Sequence, residues 1–182
     1  MGTQAVSTAQ QTLSETFDIP DSFWGAVAQE ASGFFGAQDI PRGQEKCSDY
    51  CTSFRLLAKE TTFVSKHTSA VKYEWNKLGF HTKWRPFVSS VILCFDVPPT
   101  WKNEVVESVC RANSPSSLND PYAPHVLLIE HVTRLFDTTL WGCRDVVRRL
   151  EKKRTSPEDP QPDYVGMHEI DRHTIHSTEM LA

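Results

Sequence analysis

The chain has 182 residues, of which 39% are hydrophobic and 10% aromatic, enough apolar material for one packed domain with appendages and too much for wholesale disorder. Nineteen Lys and Arg against 23 Asp and Glu leave a formal charge of −4, so no basic excess is available to displace counterions and no nucleic acid is expected as a partner. The longest nearly apolar run, residues 88–95, falls far short of the ~20 residues of a membrane-crossing helix, and no direct membrane insertion by this chain is expected.

Residues 1–20 are polar, rich in Ser, Thr and Gln, and end at Pro20. This composition predicts a flexible arm or a marginal helix, and shows neither an apolar signal core nor an Arg-rich transit pattern. Residues 21–119 read as an α/β domain. Asp21 and Ser22 can cap a helix carrying Phe23, Trp24, Val27, Ala28 and Ala31 at helical spacing, with a stop expected at Gly33-Phe34-Phe35-Gly36. A loop is expected over 38–46, then strand-like stretches at 50–57 and 61–65. An aromatic-dense segment, 73–86, closes on a proline that would disrupt a central strand. Residues 88–95 (VSSVILCF in sequence) are the best candidate for a buried strand, and 101–111 form an amphipathic helix pattern before a polar loop at 113–120. Strands interleaved with helices predict an α/β (α+β) fold, a mixed sheet layered with helices.

Residues 120–154 carry an apolar stripe at helical spacing: Leu128, Val132, Leu135 or Phe136, Leu140 with Thr139, Cys143, Val147 and Leu150. Leu135 and Leu140 are expected in the core. Lys152, Lys153 and Arg154 suit the negative end of a helix, and the proline-rich linker 155–163 cannot continue it. A final helix is expected over 164–182. Three residues separate Cys47 from Cys51, while Cys94, Cys110 and Cys143 stand singly. That spacing lacks the paired pattern of structural zinc and predicts buried free thiols in a reducing compartment.

The segment HVLLIEHVTRLFDTTLWGCRDVVRRLEKKR, the proline-rich linker and HEIDRHTIHSTEMLA together resemble the cytosolic part of the fungal CorA-like magnesium transporters. Upstream, FRLLAKE, YEWNKLGFHTKW and SVILCFDVPPTW are similar to the soluble N-terminal region of the same family, so the resemblance covers roughly residues 20–182. The pattern Trp141-x-x-Arg144-Asp145-x-Val147-Arg148 and the run Arg172-His173-x-x-His176 carry most of it. The family's Gly-Met-Asn pore signature is not in this chain, where Gly166-Met167 precedes His168. The resemblance implies a non-catalytic cytosolic domain, a cytoplasmic location and Mg²⁺ as the divalent cation concerned. It further implies that 164–182 begins a stalk-like helix through which the chain self-associates. The alternative is a stand-alone interaction module that kept the fold and lost transport.

The sharpest polar constellation is His168, Glu169, Asp171, His173, His176 and Glu179. On a helix, Glu169, His173 and His176 stand at i, i+4 and i+7, which offers one carboxylate and two imidazoles to a metal ion. Two imidazoles suit a transition metal better than Mg²⁺, which prefers oxygen ligands. The same residues also suit a solvated face with a Glu169–Arg172 contact. Asp96 reads as a turn former, because no second acid or glycine-rich loop accompanies it. Tyr73, Trp75, Phe80, Trp84 and Phe87 read as core filling rather than a base-stacking platform. No constellation indicates an enzyme.

Overall fold

Strand alternation organises the first part of the molecule. The computed structural model describes residues 2–31, 33–43, 47–63, 71–112, 119–154 and 164–179. Two helices, α1 (Gly2–Phe17) and α2 (Asp21–Ala28), precede strands β1 (Gly33–Pro41), β2 (Ser48–Phe63), β3 (Val71–Arg85) and β4 (Ser89–Phe95). Helices α3 (Pro99–Ala112), α4 (Ala123–Arg154) and α5 (Tyr164–Glu179) follow. The four strands form one antiparallel sheet in the order β1-β2-β3-β4, so the chain is an α+β protein with a long helix in its C-terminal part. It divides into two compact units, residues 1–57 with 77–130 and residues 58–76 with 131–182.

In the first unit, helices cover both faces of the sheet. On one face, Arg55 donates to the Ala26 carbonyl at 2.5 Å, and His81 bridges the Ser53 hydroxyl and the Phe17 carbonyl at 2.8 and 2.9 Å. These bonds tie α1 and α2 to β2 and β3. Phe23 is fully buried there, with the Trp24, Phe34 and Phe95 rings at 5.2, 6.4 and 5.4 Å. Gly79 makes room for it, since a Cβ at that position would lie 3.2 Å from the Phe23 ring. Asp49 is buried on this face as well. Arg42 pairs with it, and Arg85 and Lys83 stand 3.6 and 4.0 Å away, which offsets the cost of removing its carboxylate from water. The opposite face presents Thr52, Phe54, Phe80 and Thr82 to the first turns of α4, where the His125 ring stacks on Phe54.

The second unit packs α5 against α4 through Val146, Leu150 and Ile170. Thr139 of α4 donates to the Lys59 carbonyl at 2.5 Å, which joins the helix to β2 within the same unit.

Several expectations need correction. Of the two readings of residues 1–20, arm or marginal helix, the helix is found over residues 2–17, and Phe17 at its end supplies its carbonyl to His81. The helix beginning at Asp21 stops at Ala28 rather than near Gly36. Residues 33–41, read as helix end and loop, are instead the edge strand β1, with strict alternation of exposed and half-buried positions. Pairing with β2 decides this, because each of the nine residues of β1 faces a β2 partner. The stretches 50–57 and 61–65 merge into one strand ending at Phe63, and positions 64 and 65 lie outside the described residues. The segment 73–85 is a strand despite Pro86, because that proline falls in the turn beyond it. Strand β4 is present, but it is an edge strand whose residues are half-buried apart from the exposed Cys94. On α4, Leu135 is buried, whereas Leu140 is 47% and Val147 37% exposed. Thr139 and Val146 take the inward positions, one residue earlier in each turn. The cysteines are all free, but only Cys51 and Cys143 are buried, while Cys47, Cys94 and Cys110 are exposed. The linker 155–163 and residues 180–182 lie outside the described residues.

Candidate functional site

Titratable groups concentrate in the second unit around Lys59. This lysine sits on β2 and is 3% exposed, with its ammonium 4.6 Å from the Tyr73 ring centre and 4.8 Å from that of Trp75. The faces of the two rings stabilise the cation in place of water. The Lys59 Nζ donates to Nδ1 of His173 on α5, whose ring stacks on Tyr73 with 29° between planes. Because the ammonium can only donate, Nδ1 is the acceptor and the ring proton belongs on Nε2. Nε2 in turn lies 3.6 Å from Glu169, and Arg172 holds the same carboxylate at 2.7 Å.

Burial and the neighbouring Lys59 and Arg172 charges push His173 down to about 4, against a smaller opposing effect of Glu169. Burial also lowers Lys59 and raises Tyr73 to about 12 and Cys143 above its usual range. At neutral pH the cluster therefore holds a neutral imidazole beside a buried lysine and an un-ionised phenol.

The three expected metal ligands meet different fates. Glu169 and His173 come together, but the Nδ1 lone pair of His173 is taken by Lys59, and a metal ion there would face an ammonium. The His176 ring lies 6.4 Å from that of Trp75. Among the described residues, no group of three His, Cys, Asp or Glu side chains is arranged to hold a metal ion. His168 and Asp171 are exposed, and the Glu179 side chain lies outside the described residues.

The aromatic residues separate as well. Phe80 is core, Tyr73 and Trp75 flank Lys59, Trp84 is half-buried, and Phe87 is exposed at the β3–β4 turn. Asp96 is exposed in the turn after β4 at a φ of 55°, a left-handed conformation that aspartate tolerates better than most residues. Lys59 itself was missed. Its partner lies 114 residues away, and no local spacing connects the two.

Two of the three other buried histidines, His81 and His125, invite a catalytic reading. His81 donates from Nε2 to the Phe17 carbonyl, so Nδ1 accepts from the Ser53 hydroxyl. The pair is sealed, with His81 1% and Ser53 2% exposed, and the geometry serves to fasten α1 to the sheet. His125 Nε2 meets the Thr52 hydroxyl at 2.6 Å, and Thr52 meets Thr82 at 2.5 Å, again beneath a helix.

The low His173 value has a measurable consequence. Between pH ~6.5 and 4 the unfolded chain takes up a proton at residue 173 that the folded chain refuses, so stability falls as pH drops through this window. The loss should reach roughly 3 kcal/mol and level off below about 4. His173→Gln, which keeps an acceptor for Lys59, should flatten that part of the urea-denaturation pH profile. An unchanged profile would refute the assignment of a neutral, buried imidazole.

These features define an α+β protein in which a buried lysine–histidine cluster joins a strand and two C-terminal helices. Comparison with protein-family models, curated protein sequences and solved structures gives no match to this chain.

Proposed function

We propose that this chain is the non-catalytic soluble domain of a CorA-like divalent-cation transporter, acting through assembly rather than chemistry. The observation that carries the reading is the set of large apolar side chains that α5 leaves exposed. Ile170 and His173 are buried in the second unit, whereas Tyr164, Val165, Met167 and Ile175 remain exposed around the rest of the helix, interspersed with His168, Asp171 and Arg172. An amphipathic helix has one side to bury, and large apolar side chains left exposed beyond it are available to a neighbour. The order of a layered α+β region, a 32-residue helix and a further helix also supports the reading, because the resembling family has this order. No helix among the described residues is long and apolar enough to cross a membrane. Transport would thus rest on segments other than these.

Magnesium is the cation that the resemblance implies, and its preference for oxygen ligands directs it to carboxylates rather than to the His173 cluster. Two measurements test the proposal. Sedimentation velocity with and without Mg²⁺ should show self-association that Val165→Glu combined with Met167→Glu abolishes. A monomer at every concentration would remove the assembly role. The coding sequence downstream of Ala182, read for two apolar segments with Gly-Met-Asn at the end of the first, tests the transporter assignment. A stop codon there would favour the stand-alone interaction module.

A further inference from the structure

A cleft of about 660 Å³ lies in the first unit between β4 and α3. Ser90, Ile92 and Cys94 form its floor, and Val105, Val109 and Cys110 its helical wall. The floor follows from strand register. Ser90, Ile92 and Cys94 pair with Trp84, Thr82 and Phe80, which places them on the sheet face opposite Phe95. Phe95 is committed to Phe23 and Trp24 on the other face. Chain direction then orders the two ends. Where β4 turns into α3, the cleft is bounded by Asp96 and Lys102, both exposed and of opposite charge. The other end holds the Ser90 hydroxyl, buried with no hydrogen-bond partner.

Three properties select a ligand class. The volume lies within the roughly 300–1,000 Å³ of small-molecule sites, and the walls are mainly aliphatic, as in such sites. The ionic end carries balanced charge, so an anion would meet Asp96 and a cation Lys102, and neither is favoured. The orphan hydroxyl costs free energy until it finds a partner. We propose that the cleft between β4 and α3 binds a neutral, elongated aliphatic molecule bearing one hydroxyl or carbonyl group, which completes the hydrogen bonding of Ser90. The assignment is independent of any role in cation transport.

The native thiols report occupancy without mutation. Cys94 and Cys110 line the cleft, and Cys47 is exposed but is not part of it. Saturating 1-octanol should slow N-ethylmaleimide alkylation of Cys94 and Cys110, each compared with itself, and leave Cys47 unchanged. Octanoate at pH about 8, where the carboxyl is ionised, should protect much less. Ser90→Ala should raise the octanol concentration for half-protection about five-fold, the worth of one neutral hydrogen bond. Unprotected Cys94 and Cys110, or parallel slowing at Cys47, would overturn the site. Equal protection by octanoate would overturn the neutral ligand class, and an unchanged Ser90→Ala would overturn the role of the hydroxyl.

Discussion

Phe23→Ala should lower the unfolding free energy by about 3–5 kcal/mol, the usual cost of emptying a fully buried phenylalanine site. The ring is enclosed by Trp24, Phe34 and Phe95, and these neighbours belong to three different elements or turns of the fold. Collapse into the void would need β1, β4 and α2 to move together, so little of the cavity can be recovered. Phe35→Ala is the matched comparison. Phe35 is the next residue along β1 but points to the exposed side, and its loss should cost no more than ~0.5 kcal/mol. Chemical denaturation of the two variants measures both values. Similar losses would mean that β1 is paired one residue out of register, since a slip of one exchanges the two faces.

On α4, Leu135→Asp should be nearly as damaging and Leu140→Asp close to neutral. Leu135 is 6% exposed, and a carboxylate placed there loses water without gaining a partner, at a cost of several kcal/mol. Leu140 stands nearly half in solvent, so the same substitution should change stability by about 0.5 kcal/mol or less. Melting of the two proteins under identical conditions separates them. Equal destabilisation would indicate that a partner covers the Leu140 side of α4.

Periodicity over a long window was legible without coordinates. The 3.6-residue recurrence from Leu128 to Leu150 marks α4, and the β-branched run at 88–95 marks β4, because each is a local consequence of one element lying against something apolar. The same recurrence misplaced Leu140 and Val147. Both belong to a stripe wide enough to be centred on either of two adjacent rows, and only the contact of Thr139 with β2 and of Val146 with α5 settles the rotation.

Strand β1 was hidden for a different reason. Its glycines and Pro41 are poor strand formers, and the β2 backbone across the ladder, rather than propensity, holds them extended. The helical spacing of Glu169, His173 and His176 was correctly legible, but what stands opposite was not. Lys59 reaches His173 from a strand 114 residues earlier and converts a would-be ligand into a hydrogen-bond acceptor. The cleft depends likewise on which face of β4 looks toward α3, a matter of strand pairing. Local spacing is determined by the chain itself, since each side chain follows from its own backbone period. Partners brought together across the fold depend on register and packing, where one residue of slip or one row of rotation exchanges core for solvent.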